Sequence, residues 1–241
     1  MDDPALDAHE HLAALHGLQR IHALSGTLGR LWRPLQQLIQ ANRLSQLSVM
    51  DVGCGDSLLL RQLYRKAQNH GCSLHLIGCD FSSRALELSR LACRREQLPI
   101  ELYQVDVTQQ TLPIAADVVI NSLFLHHFDC SDVVRILGLM SNAARRLVLI
   151  EDLLRSRLGY ALCWAGVRLL TRSKVVHVDG PLSVQAAFTV KEIEGLLNRA
   201  NWFGANVSHH WPERFVIQYR PTPIASSPQS EPGISGTPHG V

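Results

Sequence analysis

The apolar run Val49-Met50-Asp51-Val52 breaks on Gly53-Cys54-Gly55 and passes through Asp56-Ser57 into a new apolar segment. A strand, an acid, two glycines one residue apart and a helix start make a tight turn. Its backbone can meet a ligand closely because glycine has no Cβ. Asp56 or Ser57 can cap the following helix, which turns free N–H groups and a positive dipole end toward whatever binds there. Three further apolar segments end in polar residues, at Asp80, Asp106 and Asn121. In an open parallel sheet such strand ends line one crevice, where ligands bind.

The repeating pattern is strand then helix: strand 47–52, helix 57–69, strand 73–79, helix 82–96 and strand 100–105. After the Pro113 turn come strand 117–121, helix 130–143 and strand 146–151. Strands such as Val118-Val119-Ile120 and Leu147-Val148-Leu149-Ile150 are apolar on both faces, as when helices cover both sides of a parallel sheet. The expected fold class is α/β, a doubly wound, mostly parallel seven-stranded sheet with an N-terminal helical extension. Residues 5–44 keep helical spacing through Leu12, Leu15, Ile21, Leu24, Leu28 and Leu31, with Pro34 as punctuation. Between about 152 and 188 the pattern breaks. Arg155, Arg157, Arg168, Arg172 and Lys174 surround Tyr160, Trp164 and Leu169, and His177-Val178-Asp179-Gly180-Pro181 reads as a turn. Thr189 with Glu192 predicts a capping box for helix 190–200, followed by strands 203–210 and 214–220 as an antiparallel edge. The tail from Pro221, rich in Pro, Ser, Gly and Thr, is expected to be disordered.

A net charge of +2 over 241 residues makes no case for nucleic acid as the partner. Six cysteines without a Cys-x-x-Cys pair argue against a disulfide framework or a zinc knuckle and suit a reducing cytoplasm. The apolar run Leu158–Leu170 is too short to span a bilayer and carries Arg168, so no stable membrane insertion is expected. No metal site is expected.

The glycine loop is not the nicotinamide fingerprint, whose third glycine is Leu58 here. Asp51 beside the glycines suits a ligand ammonium, reached directly or through water. Asp80 suits a ribose diol, since one carboxylate accepts from two hydroxyls. Phe81 can cover an adenine face, and Asp106, followed by Val107, can accept from an adenine amino group. The ligand so described has an amino acid end, a ribose and an adenine. Each acid also has a plainer role, as a loop cap for Asp51, a helix cap for Asp80 and a turn acid for Asp106.

Asp51-Val52-Gly53-Cys54-Gly55, Gly78-Cys79-Asp80-Phe81-Ser82, Val105-Asp106-Val107 and Asn121-Ser122-Leu123-Phe124-Leu125-His126-His127-Phe128 together resemble the class I S-adenosylmethionine-dependent methyltransferases. The resemblance extends to ubiquinone/menaquinone-biosynthesis-type and bacterial small-molecule methyltransferases. It implies a Rossmann-like methyltransferase fold over residues 45–221, with an acceptor-side insert at about 152–188, the extension 1–44 before it and the tail 222–241 after it. It implies S-adenosyl-L-methionine as cofactor, held by Asp51, Gly53, Gly55, Asp80, Phe81, Asp106, Val107 and Asn121. The methyl acceptor is expected to be small, aromatic or quinone/polyketide-like, and methylated on oxygen. His127, after the fourth strand, and His177, in the insert, are the candidate catalytic residues; His126 shares the first position, where helix capping and packing compete with catalysis. Glu151 and Asp152, ending the fifth strand, suit acceptor contact, a metal or, as the plainer reading, a solvated strand end. The third glycine usual in this loop is Ser57, which allows the turn with a less close approach. Two other readings are a non-catalytic cofactor-binding module and a nicotinamide-dependent oxidoreductase, the latter lacking a Tyr-x-x-x-Lys pair.

Overall fold

The computed structural model describes residues 26–171 and 173–221. The helical pattern expected for residues 5–25 and the tail 222–241 lie outside the described residues. In chain order the elements are α1 (Thr27–Asn42), β1 (Gln46–Val52), α2 (Leu58–Gln68), β2 (Ser73–Asp80), α3 (Ser83–Arg95), β3 (Ile100–Gln104) and β4 (Ala116–Ser122). A single 3₁₀ turn, Leu125–His127, precedes α4 (Cys130–Ala143) and β5 (Ala144–Leu153). The chain continues through α5 (Arg157–Leu170), α6 (Lys174–Ala186), α7 (Val190–Arg199), β6 (Asn206–His210) and β7 (Arg214–Tyr219).

The strands form one seven-stranded sheet in the order β3-β2-β1-β4-β5-β7-β6. The first five pair in parallel and β7 runs antiparallel to both β5 and β6. Neighbouring residues of one strand feed opposite cores, because strand side chains alternate between faces. Val49 packs with Leu31, Leu35 and Leu63 of α1 and α2, while Met50 packs with Ile136, Met140 and Ile193 of α4 and α7. Both cores are aliphatic, and full burial of each such side chain contributes about 1.5–3 kcal/mol. That is why β1, β4 and β5 read as continuous apolar runs.

β1 has β2 and β4 as neighbours, aligned at Asp51 with Gly78 and Ile120. Its carboxyl end therefore opens at the centre of the sheet, where the strand order reverses. α1 continues through Pro34, which is buried in the middle of the helix, so this proline is not the break that its type suggests. The larger departure lies in the insert. His177-Val178-Asp179-Gly180-Pro181 is helical, inside α6. A Cβ on Gly180 would sit 2.9 Å from Val167 Cγ1 and 3.2 Å from Cys163 Sγ, so Gly180 is where α6 lies against α5. Pairing of Leu154 with Phe188, with the Arg155 amide donating to the Phe188 carbonyl at 3.0 Å, pins both ends of this two-helix excursion together. The capping box forms as expected, with Thr189 and Glu192 exchanging hydrogen bonds at the start of α7.

Candidate functional site

The carboxyl ends of β1, β2, β4 and β5 converge, and the glycine turn sits among them. Gly53 and Gly55 adopt φ of +79° and +53°, and Ser57 follows at +58°. The Gly53 and Cys54 amides both donate to the Cys79 carbonyl, at 2.8 and 3.0 Å, which fastens the turn to β2. A Cβ on Gly53 would lie 2.4 Å from the Phe124 ring, whereas one on Gly55 would have nothing within 4 Å. Gly53 is thus required by packing, and Gly55 faces open space. Asp56 Oδ1, not the Ser57 hydroxyl, accepts from the first amide of α2, Leu58 N–H, at 3.1 Å. Ser57 Oγ instead accepts from Ser89 Oγ at 2.6 Å, a buried bond that ties α2 to α3.

Asp51 is 2% exposed, and its Oδ1 has no hydrogen-bond partner among the described residues. Buried carboxylates are normally paired, since an unsatisfied one forfeits its hydration. Burial raises the Asp51 carboxyl well above the usual carboxylate range, and the neighbouring Asp80 charge adds to the rise. The same field reaches the Cys79 thiol, pushed up to about 12 by burial, then by Asp51 and Asp80. A cation placed here would relieve all three groups. Asp80 Oδ2 accepts from the Gly55 amide and Oδ1 from the Ser82 amide, each at 2.8 Å. Asp80 therefore braces the turn through both carboxylate oxygens. Phe81, beside it, is 69% exposed.

Asp106 Oδ1 is taken by the Thr108 amide and hydroxyl, at 2.9 and 2.6 Å. Those bonds hold its carboxyl below the usual range. Val107 is buried beside it. Asn121 is fully buried; its Nδ2 donates to the Val52 carbonyl at 2.6 Å and its Oδ1 has no partner among the described residues. Asp51, Gly53, Gly55, Asp80 and Asn121 thus share one crevice, with Phe81, Asp106 and Val107 following the β2 and β3 ends on the same rim.

The candidate histidines occupy different settings. His177 is half-buried, and its Nε2 contacts the Thr171 carbonyl at 2.8 Å across the start of α6. His127 is exposed, its ring centroid 4.2 Å from that of His126. His126 is the buried member: its Nδ1 lies 2.7 Å from Asp152 Oδ1, and its amide donates to Asp152 Oδ2 at 3.2 Å. Burial alone would raise the Asp152 carboxyl, but the charge and hydrogen bond of His126, with the Leu153 amide and Arg214, hold it below the usual range. No local signal in the sequence marks this pair, because its partners are 26 residues apart.

On the other face of β5, Glu151 is fully buried and paired with Arg30 of α1 through Nε, at 2.9 Å, and through Nη2. Arg30 Nη1 also donates to the Trp211 carbonyl at 3.2 Å. Arg214, at the start of β7, is buried, and that burial lowers its pKa against the opposing pull of Glu151 and Asp152. Glu151 is therefore not a solvated strand end. Among the described residues, no group of three or more His, Cys, Asp or Glu could hold a metal ion. A cavity of about 420 Å³ lies at the opposite rim, where β1 and β2 begin, between Ser48, His75 and Asp117. Asp117 is already satisfied there by Ser48 and Arg146.

Residues 49–146 match a family model described as a methyltransferase domain. No curated protein matches the chain by sequence. Among solved structures, the plantazolicin methyltransferase BpumL, in complex with a triazolic desmethylPZN analog and SAH, superimposes with a TM-score of 0.71 at 13% identity. That match covers 89% of this chain and 92% of BpumL. The magnesium protoporphyrin IX methyltransferase ChlM from Synechocystis PCC 6803, with bound SAM, gives 0.54 at 14% identity, covering 90% and 86%. The mitomycin 7-O-methyltransferase MmcR gives 0.52 at 22% identity, covering 73% of this chain and 49% of MmcR. At these identities the likeness is one of fold.

Proposed function

We propose that the chain is a class I S-adenosylmethionine-dependent methyltransferase, as its methyltransferase-domain match over residues 49–146 supports, and that it methylates a hydroxyl of a small aromatic acceptor with His126 as the base. S-adenosylmethionine is its cofactor, and the residues present fit that molecule. Asp51, whose buried Oδ1 has no partner among the described residues, would meet the ammonium. Asp80 would accept from the ribose diol, Gly55 would leave room for close backbone approach, Phe81 would cover the adenine, and Asn121 would contact the methionine end. Asp106 and Val107 bound the adenine on the β3 side. The bound cofactor supplies a methyl group already activated as part of a sulfonium.

What remains for the protein is positioning, water exclusion and one proton. Holding donor and acceptor at near-attack distance supplies about 7–11 kcal/mol. The observation that carries the oxygen-directed reading is the His126–Asp152 pair. With its Nδ1 directed at the Asp152 carboxylate, the unprotonated form of His126 presents its lone pair at Nε2. His126 then takes the acceptor's proton, and Asp152 stabilises the imidazolium that forms without itself being protonated. His127 lies beside this base, and His177 serves the start of α6. The insert between Leu154 and Phe188 forms the acceptor side of the site, since α6 packs on the 3₁₀ turn that carries His126. A neighbouring fold that methylates a mitomycin oxygen supports the reading.

The test is turnover of a panel of phenols against matched anilines, with S-adenosylhomocysteine affinity measured by calorimetry. His126→Gln should lower kcat on the phenols by about 10²–10⁴-fold and leave that affinity unchanged. Equal turnover by the variant, or transfer to the anilines alone, would overturn the assignment.

A further inference from the structure

The excursion pinned between Leu154 and Phe188 buries little of itself. α5 sinks only Gly159 and Val167. Leu158, Trp164 and Leu169 are 52%, 48% and 85% exposed, with Tyr160 beside them. Leu158, Ala161, Ala165 and Leu169 follow at spacings of three and four, as do Tyr160, Trp164 and Arg168 at spacings of four. At about 100° per residue, these two adjoining rows cover about half of the helix circumference. A helix on the surface of a globular protein turns polar residues outward on that side, whereas α5 turns out leucine, tryptophan and tyrosine. α6 adds Val178 and Leu182, one turn apart and both exposed.

The charge around this face is mainly cationic: Arg157, Arg168 and Lys174 are exposed, while Arg155 is paired with Glu192 and Asp179 follows on α6. Residues 154–178 contain Arg155, Arg157, Arg168, Arg172 and Lys174 and no Asp or Glu. The Arg168 guanidinium lies 4.0 Å from the centroid of the Trp164 ring and donates to the Trp164 carbonyl at 3.0 Å. Cation and indole therefore reach the surface at the same level. An apolar-aromatic face with a predominantly cationic surround matches a partner that is apolar below and anionic above.

We propose that α5, with the outer edge of α6, docks on an anionic lipid surface. Leucine and tryptophan enter the headgroup boundary and the arginines meet lipid phosphates, the arrangement in which amphipathic tips and long cationic stems are each satisfied. The contact is interfacial, since no helix among the described residues is long and apolar enough to cross a membrane. The docked hairpin stands on the 3₁₀ turn of His126, so an acceptor dissolved in the bilayer would enter the crevice without crossing bulk water. The docking itself does not depend on the choice of base or acceptor.

The experiment is co-sedimentation of the full chain with phosphatidylcholine vesicles and with equimolar phosphatidylcholine/phosphatidylglycerol vesicles. Binding to the mixed vesicles should exceed binding to phosphatidylcholine by about tenfold or more and weaken in about 0.5 M NaCl. W164S/L169S and, separately, R157E/K174E should each lose about tenfold. Both pairs lie on exposed positions, and their melting temperatures verify the fold. No sedimentation at millimolar lipid, binding indifferent to phosphatidylglycerol, or undiminished binding by both double variants would overturn the proposal. So would a stable self-association that uses this face and excludes vesicles. S-adenosylhomocysteine affinity, read in the same samples, reports on the cofactor site alone, so failure of that site and failure of the docking face are distinguishable.

Discussion

Asp51 carries a burial cost that the ammonium proposed to bind there would offset. Its carboxyl is raised in the folded protein by burial and by Asp80, so the folded state prefers it protonated. The stability it contributes is present below its unfolded pKa of about 3.9 and is lost as pH rises through the folded value. D51N should therefore raise the melting temperature of the cofactor-free protein at neutral pH, by about 2–4 °C for each kcal/mol relieved. It should also weaken S-adenosylhomocysteine binding in calorimetry, and an unchanged affinity would count against the ammonium contact. The two glycines separate in the same way. G55A should keep a folded protein, costing about 1–2 kcal/mol for its left-handed backbone, and lose cofactor affinity as its methyl enters the open space. G53A should lose the fold's stability as well, because its methyl would collide with Phe124, and thermal melts compare the two directly. Asp51, Asp80 and Asn121 were readable because each closes an apolar run. The Asp152 partner of His126 was not readable, because only the neighbouring ends of β4 and β5 bring the two together.

Elements were legible to the degree that their polar faces look outward. α4 and α7 bury one stripe each, and their expected bounds match the observed ones to within a residue. T189A should cost α7 about 1 kcal/mol through loss of its cap, seen as a melting temperature lower by about 2–4 °C. α5 and α6 escaped the periodicity because α5 exposes the side chains that usually mark a buried stripe. In α6, Gly180 and Pro181 have the composition of a turn but serve a close helix–helix contact. Composition reports on solvent, and this hairpin does not present itself to water as a helix normally does.

At the scale of the whole molecule, α1 is held to the sheet by a buried charge. Glu151 has no exposure, and Arg30 supplies both of its observed hydrogen bonds. R30A would leave that carboxylate buried without its close partner, which should cost about 3–5 kcal/mol. Combining R30M with E151L should recover most of that loss in chemical denaturation, because a buried ion pair stabilises little beyond an apolar pair of similar volume. The sheet's parallel half was legible from its alternation of strands and helices. The Arg30 link was not, since it joins residues 121 positions apart and neither end differs from an ordinary surface charge. Arg30 also reaches the Trp211 carbonyl in the turn before β7, and β7 must slot between β5 and β6. A nascent chain emerging from the ribosome can therefore assemble its parallel strands early. It cannot seat α1 for good until Trp211 and β7 have been synthesised, because Arg30 bonds to Glu151 and to the Trp211 carbonyl.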